Sequence, residues 1–149
     1  MVLRLVIKRL TLFILIGGLL SGLELVAQSG YQVVVHASNP ASSINKADLA
    51  KLLLKKTKEW SSGLKVLPVD QASSRSVRET FSRNVHGKSV SAVKSYWQKL
   101  IFTGRETPPV DLASDSQVLQ YVRDHSGAIG YVSSGATVGS GVKVIRITS

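Results

Sequence analysis

The stretch from Asp70 to Ser76, which reads Asp-Gln-Ala-Ser-Ser-Arg-Ser, carries residue types suited to binding an anion. It lies between a predicted strand and a predicted helix. The first N–H groups of a helix have no intrahelical partner, and the helix dipole favours negative charge there. Serine hydroxyls and an arginine fork add further donors. An ordinary serine N-cap beside surface arginines is the alternative interpretation. The residues expected to contact an oxyanion are Gln71, Ser73, Ser74, Arg75 and Ser76.

The histidines do not have the spacing of a metal site. The chain has three, His36, His86 and His125, and no cysteine. No two histidines lie four residues apart, and no glutamate completes a ligand set. We therefore expect no metal and no cofactor. His86 and His125 are expected at helix ends, where a polar side chain can bond to free carbonyl groups. The absence of cysteine excludes a disulfide scaffold and a cysteine zinc site.

Catalytic motifs are missing as well. The segment from Gly130 to Gly135 lacks the Gly-x-Ser-x-Gly spacing of a nucleophile elbow. The glycine-rich segment from Gly135 to Gly141 precedes a strand, whereas a phosphate-binding loop opens a helix. The acidic residues are few and scattered, so no acid–base pair stands out. We predict that the protein is not an enzyme.

The charge balance favours an acidic partner. Nineteen lysines and arginines against nine acidic residues give a net charge of +10. Nucleic acid, anionic lipid and small anions are the partner classes that such a balance allows. Tyr96, Trp97 and Phe102 are interleaved with basic residues, which could indicate nucleic-acid binding. Their spacing is that of the core face of a helix, however, so no nucleic-acid partner is predicted.

The N-terminus has the layout of an export signal. Arg4, Lys8 and Arg9 precede an apolar run over 10–20, and small and polar residues follow. The run is short for a membrane span of about 20 residues. We predict a cleaved signal peptide over 1–27 and a domain over 28–149, in the periplasm or secreted. An uncleaved N-terminal anchor is the alternative.

Short apolar strands alternate with amphipathic helices along the rest of the chain. Pro68 indicates either that the second strand lies at a sheet edge or that Pro68 lies at a strand end. Such alternation predicts a three-layer α/β domain around a small, partly parallel sheet. Strands are predicted over 31–35, 64–69, 128–132 and 142–147, and helices over 46–54, 74–85, 89–102 and 116–124.

The helices carry further local signals. Polar residues before three of them are candidate N-caps: Ser42, Ser43 and Asn45 for the first, Ser89 or Ser91 for the third, and Ser114 or Asp115 for the fourth. Helical spacing predicts apolar faces on the second helix, with Val77, Phe81 and Val85, and on the third, with Val93, Tyr96, Trp97, Leu100 and Ile101. Pro108-Pro109 predicts an extended turn.

Several segments carry a family resemblance, most specifically Gly127-Ala-Ile-Gly-Tyr-Val132 and Phe102-Thr-Gly-Arg105, the latter followed by Pro108-Pro109. These segments resemble the phosphate-type periplasmic substrate-binding proteins, specifically their short, single-lobe relatives. Val66-Leu-Pro-Val-Asp-Gln71 and Arg78-Glu-Thr-Phe81 add to the likeness. The resemblance covers nearly all of 28–149 and implies one lobe of a type 2 periplasmic-binding-protein fold.

The resemblance also implies a function. In the family, two lobes close on an oxyanion, and one lobe contributes a Ser-Gly-Thr-type loop at a helix N-terminus. That loop falls on Ser74-Arg75-Ser76-Val77, where Arg75-Ser76-Val77 stands in place of Ser-Gly-Thr. The implied function is a binding module of the phosphate ABC transporter type that binds phosphate or a similar oxyanion weakly. A membrane permease, a sensor protein or a second copy of the chain are the implied partners. A ligand-free accessory or sensory domain that contacts a partner protein is the alternative.

Overall fold

The computed structural model describes residues 30–149, so the predicted signal peptide lies outside the described residues. A π-helical turn, Ser82–His86, follows directly after the helix that ends at Phe81. Within 30–149 no helix combines the length and the apolar character needed to cross a membrane. The strands are β1 (Tyr31–His36), β2 (Ser43–Asn45), β3 (Leu67–Gln71), β4 (Val110–Leu112), β5 (Ala128–Ser133) and β6 (Val142–Thr148). The helices are α1 (Lys46–Leu53), α2 (Ser76–Phe81), α3 (Val90–Phe102) and α4 (Asp115–Asp124).

The six strands form one mixed sheet in the order β2-β6-β1-β5-β3-β4. β1 pairs antiparallel with both of its neighbours, β5 and β6. On one side of this pair, β3 runs parallel to both β5 and β4. On the other side, β2 runs parallel to β6. The parallel trio β5-β3-β4 therefore ends at a common edge, from which α2 and α4 begin.

Helices cover both faces of the sheet. On one face, α1, α2 and the π-helical turn contribute apolar side chains to the same buried cluster as Val33 and Val35. On the other face, Val118 and Val122 of α4 pack in the cluster that contains Val34. Successive residues of β1 thus point to opposite layers, as the strand period of two requires. The predicted three-layer α/β architecture is confirmed.

The second strand lies later in the sequence than predicted. It was expected over 64–69 with a loop from Asp70, whereas β3 begins at Leu67 and includes Asp70 and Gln71. β3 is also an interior strand, so the sheet-edge alternative for Pro68 was wrong, whereas the strand-end alternative is confirmed, because Pro68 is the second residue of β3. Pro68 is tolerated because it pairs only with Ile129 of β5, and pairing to β4 begins one residue later.

Two short strands have no signal in the apolar pattern. The segment of β2 was interpreted only as a source of helix caps, and Asn45 does cap α1 by accepting a hydrogen bond from the Ala47 amide. β4 follows the Pro108-Pro109 pair, which predicted only an extended turn. Three residues are too few to show a period of two, so pairing with a neighbour decides these strands.

The predicted helix over 74–85 is split. Regular α-helix ends at Phe81, and the π-helical turn carries the chain to Gly87, whose left-handed φ of 63° ends it. Val77, Phe81 and Val85 are all buried, so the predicted apolar face is confirmed.

The predicted apolar face of α3 is only partly correct. Val93 and Trp97 are buried, and Ser89 caps the helix by accepting from the Ala92 amide. Ile101 and Phe102 are exposed, and Phe102 presents 93% of its surface to solvent. Helical spacing places a residue on a face but does not show how far the neighbouring layer extends.

Candidate functional site

Four elements meet at the carboxyl edge of the parallel trio β5-β3-β4. β3 and β4 end there at Gln71 and Leu112, and α2 and α4 begin at Ser76 and Asp115. Ligands of open α/β sheets bind beyond the carboxyl ends of parallel strands, near helix N-termini. The segment 71–76, predicted from sequence as an oxyanion site, lies at this edge.

A buried ion pair forms the floor of the edge. Arg78 Nη1 lies 2.9 Å from Asp70 Oδ1 and donates to the main-chain oxygen of Gln71 at 2.6 Å. Both charged side chains are buried, with only 4% of each residue exposed. Asp111 Oδ1 approaches the same guanidinium nitrogen at 3.4 Å. Arg78 therefore ties the end of β3 to the end of β4.

The carboxyl group of Asp70 is held by neutral donors as well. The Tyr131 hydroxyl donates to Asp70 Oδ1, and the Gln71 amide donates to the same atom at 2.9 Å. Burial raises the pKa of Asp70 to about 6, although the Arg78 charge and these hydrogen bonds favour the ionised form. Burial and the neighbouring Asp70 raise the pKa of Tyr131, which keeps its hydroxyl a donor. Phe81 stacks on the Tyr131 ring at 3.7 Å and fixes its position.

Gln71 is engaged within the fold. Its side chain is fully buried, and Nε2 donates to Asp115 Oδ1 at 2.8 Å and to the Tyr131 carbonyl at 3.0 Å. Its Oε1 atom is buried and has no hydrogen-bond partner among the described residues. Gln71 thus joins β3, β5 and α4, and one buried acceptor is left over.

Asp115 connects the start of α4 to the proposed loop. Its Oδ1 accepts from the Ser133 amide at 3.1 Å and lies 3.3 Å from Arg75 Nη2. Burial would raise the pKa of Asp115, but hydrogen bonds from Ser133 and Gln71 and the charge of Arg75 together hold it below its ordinary value. This carboxylate therefore stays ionised at neutral pH.

The three serines of the predicted site are exposed. Ser73 and Ser74 form a turn closed by the bond from the Arg75 amide to the Ala72 carbonyl, at 3.0 Å. Arg75 is the N-cap residue of α2, and no side chain caps this helix. An ordinary serine N-cap, the alternative interpretation of this segment, is therefore wrong. The three hydroxyl groups stand at the start of α2 with solvent on one side.

The structure thus brings all five predicted residues to one edge but divides them by environment. Gln71 is buried, Arg75 is half-buried, and the serines are open to solvent. The sequence pattern indicated no partner for Arg78, whereas the structure pairs it with Asp70 and Asp111. An acidic residue directly after the apolar core of β3 was the available signal, because buried carboxylates require a partner. Asp70 was expected only as the first residue of the segment, and no role was expected for Asp111, Asp115 and Tyr131.

The histidines have local roles. His125 ends α4, and its Nδ1 lies 2.8 Å from the Tyr121 carbonyl, as expected for a helix-end histidine. His86 ends the π-helical turn, packs edge-on against Phe81, and has no partner at Nδ1 among the described residues. Burial and the charges of Arg78 and Lys56 lower the pKa of His86 to about 4. Within 30–149 no three His, Asp or Glu side chains are grouped closely enough to hold a metal ion.

Comparison with known proteins gives likeness at the level of the fold. No family model and no curated protein sequence matches the chain. An ABC-type phosphate transport receptor from Vibrio cholerae shares 19% identity at a TM-score of 0.63, over 79% of this chain and 46% of that one. A protein from Clostridium perfringens assigned to the phosphate ABC transporter substrate-binding proteins, with bound phosphate, shares 16% identity at a TM-score of 0.63, over 79% and 44%. PstS from Borrelia burgdorferi shares 13% identity at a TM-score of 0.55, over 80% and 47%. The chain therefore spans less than half the length of these proteins and has the fold of that part of them.

Proposed function

We propose that the protein is an exported binding module of the phosphate-receptor type that binds phosphate or a similar oxyanion weakly at 71–76. The observation that carries the proposal is the uncapped start of α2, where three exposed serines and Arg75 stand at the carboxyl edge of a sheet whose fold resembles phosphate receptors. Backbone N–H groups and hydroxyls at such a place are suited to an oxyanion. The protein acts as a binder, with no catalytic role and no cofactor.

Weak binding follows from the environment of the arginines. Arg75 already pairs with Asp115, and Arg78 pairs with Asp70 and Asp111. An incoming anion has to compete with these carboxylates or use only the remaining donors. One lobe also leaves much of the ligand hydrated, since the matched receptors are about twice as long. A membrane permease, a sensor protein or a second copy of the chain would supply the other side.

The signal peptide over 1–27 and the domain over 28–149 belong to this proposal. A module whose ligand is shared with a transporter has to be exported, and the basic–apolar–polar order of the N-terminus is suited to that. The proposed location is the periplasm or the exterior. Mass spectrometry of the protein recovered from its producing cell tests this directly. A mature N-terminus at Gln28 is expected, and retention of Met1 or Val2 with the apolar run contradicts cleavage.

The second candidate is a ligand-free domain that contacts a partner protein. The observation that favours it is the pairing of both guanidinium groups at the edge with the chain's own carboxylates. Three carboxylates, those of Asp70, Asp111 and Asp115, more than neutralise the two guanidinium groups without a ligand. Under this candidate, the serines and Arg75 contact protein groups and free phosphate has no effect.

Thermal unfolding with inorganic phosphate separates the two candidates. Ligand at about ten times its dissociation constant stabilises a protein by about 1.4 kcal/mol. For a domain of this size, that corresponds to a rise in Tm of about 4–8 °C. Chloride at matched ionic strength controls for salt. A rise in phosphate alone supports binding, whereas equal Tm values up to tens of millimolar phosphate support the ligand-free candidate.

A matched pair of double variants locates the site. Arg75→Ala/Ser76→Ala should abolish the phosphate-dependent rise, because it removes a cation and a hydroxyl at the start of α2. Arg83→Ala/Ser95→Ala removes an exposed arginine and an exposed serine elsewhere and should keep the rise. The Tm of each variant in phosphate is compared with that of the same variant without phosphate, since Arg75→Ala also removes the ion-pair partner of Asp115. A rise that survives in Arg75→Ala/Ser76→Ala overturns the proposed site.

A further inference from the structure

A cavity lies at the edge of the parallel trio β5-β3-β4 where β3 and β4 begin. It has a volume of about 480 Å³, and the residues that begin β3 and β4, Leu67 and Val110, line it. The oxyanion edge lies at the other ends of these strands, at Gln71 and Leu112. Four residue steps along β3 separate the two edges by about 13 Å. The cavity is therefore separate from the site of the proposed function.

Three lysines converge on this cavity. Lys55, Lys58 and Lys65 line it together with one carboxylate, Glu106. Glu106 lies 2.7 Å from Lys58 Nζ and 3.9 Å from Lys55 Nζ. The hydrogen bond from Lys58 is the main cause that holds the pKa of Glu106 below its ordinary value, so this carboxylate is ionised. Three positive charges against one negative leave a net surplus of cation.

Lys55 is held in place by a contact with the backbone, whereas Lys65 has no ion-pair partner among the described residues. Lys55 follows α1 with a left-handed φ of 53°, and its Nζ also donates to the Pro108 carbonyl at 3.4 Å. Its side chain is only 23% exposed. Lys65 forms no ion pair within the described range 30–149. An anion entering the cavity therefore meets one cation fixed near the wall and one that is free to pair.

The remaining walls are largely apolar. Val66 and Pro109 are buried, and the rings of Pro68, Pro108 and Tyr121 add rigid surface. The volume lies within the range of about 300–1,000 Å³ that small-molecule sites occupy. A bare inorganic anion fills little of such a space and leaves the apolar walls in contact with water. An occupant with both an anionic group and an apolar body matches the walls and the lysines together.

We propose that this cavity is a second binding site, which takes a small organic anion: a carboxylate or phosphate group held by Lys55 and Lys65, with an aryl or short acyl body against the prolines and Tyr121. The two sites differ in chemistry. The edge at 71–76 offers backbone donors and hydroxyls to a hydrated oxyanion, whereas the cavity offers ammonium groups and an apolar surface. Inorganic phosphate alone should not fill the cavity.

Titration of the full-length protein with phenyl phosphate, followed by amide chemical shifts, tests the proposal. Saturable shifts are expected around Lys65, Val110 and Tyr121. Phenol, which lacks the charge, and inorganic phosphate, which lacks the ring, should each bind at least about tenfold more weakly there, as the loss of a charge-assisted bond or of an aryl contact implies. Phenyl phosphate shifts confined to 71–76, or no saturable shift, overturn the second site and leave the proposed function intact.

Charge variants provide the matched control. Lys65→Glu reverses a charge that no described ion pair uses, and it should weaken phenyl phosphate at least about tenfold. Lys55→Gln should weaken it to a similar degree. Lys94→Glu changes an exposed lysine of α3 outside the cavity and should leave affinity within about twofold, apart from a small long-range effect. Equal weakening by Lys94→Glu, or unchanged affinity in Lys65→Glu, contradicts the proposal.

Discussion

Replacing Arg78 by methionine should be the most damaging single change at the carboxyl edge. Arg78 is buried, pairs with Asp70 at 2.9 Å, and donates to the Gln71 carbonyl at 2.6 Å. Methionine fills much of the volume, but it removes the cation that pairs with the buried Asp70 carboxyl and the Arg78 donor to the Gln71 carbonyl oxygen. Breaking a buried pair by removing one partner costs about 3–5 kcal/mol, which is a large part of the 5–15 kcal/mol typical of a domain.

The loss should depend on pH in a defined direction. The pKa of Asp70 is about 6 with Arg78 present, and without the guanidinium it rises further. At pH 7 the variant has to protonate Asp70 or bury its charge, whereas at pH 5 the group is protonated in both proteins. The loss should therefore be about 1–2 kcal/mol smaller at pH 5 than at pH 7. Adding Asp70→Asn to Arg78→Met should recover part of the stability lost at pH 7.

Urea unfolding followed by tryptophan fluorescence at both pH values measures these quantities. Arg83→Met is the matched control, because Arg83 is an exposed arginine that pairs with Glu79 across one helical turn. Its loss should stay below about 0.5 kcal/mol. If Arg78→Met lowers the free energy of unfolding by less than about 1 kcal/mol, or equally at pH 5 and pH 7, the Arg78–Asp70 pair does not stabilise the carboxyl edge as inferred.

Three further outcomes follow from single contacts. Gly127→Ala should destabilise the protein by about 3 kcal/mol or more, because its Cβ would lie 2.0 Å from the Lys65 carbonyl oxygen. Gly135→Ala, whose Cβ would meet no atom within 4 Å, should be nearly neutral in the same urea titration. Ser89→Ala should cost about 1 kcal/mol, since it removes the cap of α3, and a Tm equal to that of the parent contradicts the cap. Because the pKa of Asp70 is raised in the folded protein, its contribution to the free energy of unfolding falls as pH rises from 3.8 towards 6. Asp70→Asn should remove that fall. An unchanged pH profile of the free energy of unfolding in this variant contradicts burial of the charge.

The fold was largely predictable because its main elements have strong local signals. β1, β5 and β6 are apolar and β-branched, and α1, α3 and α4 each carry a serine or asparagine cap that the structure confirms. The errors lie in segments where pairing with a neighbouring strand, and not the local apolar pattern, decides the structure. β3 includes Asp70 and Gln71 because β4 pairs with both residues, Arg78 pairs with the Asp70 carboxyl, and Asp115 and the Tyr131 carbonyl accept from the Gln71 side chain.

The position of the candidate segment in the fold was predictable, but the partners of its side chains were not. A serine-rich segment between a strand and a helix indicated a possible anion site, and that segment does lie at the carboxyl edge. The Arg75 partner Asp115 lies on α4, 40 positions further along the chain, and the Arg78 neighbour Asp111 lies on β4, 33 positions further along. No spacing rule within one element connects residues that far apart. Only the sheet order brings them together.

Weak oxyanion binding at 71–76 is open to an amide chemical-shift titration of the full-length protein with inorganic phosphate. Saturable shifts centred on the amides of 73–77 are expected, with a dissociation constant well above the micromolar range. Shifts that do not saturate, or that are absent from this segment at tens of millimolar phosphate, would contradict binding at this edge. A sub-micromolar dissociation constant would contradict the inference that self-paired arginines and a single lobe keep the affinity low.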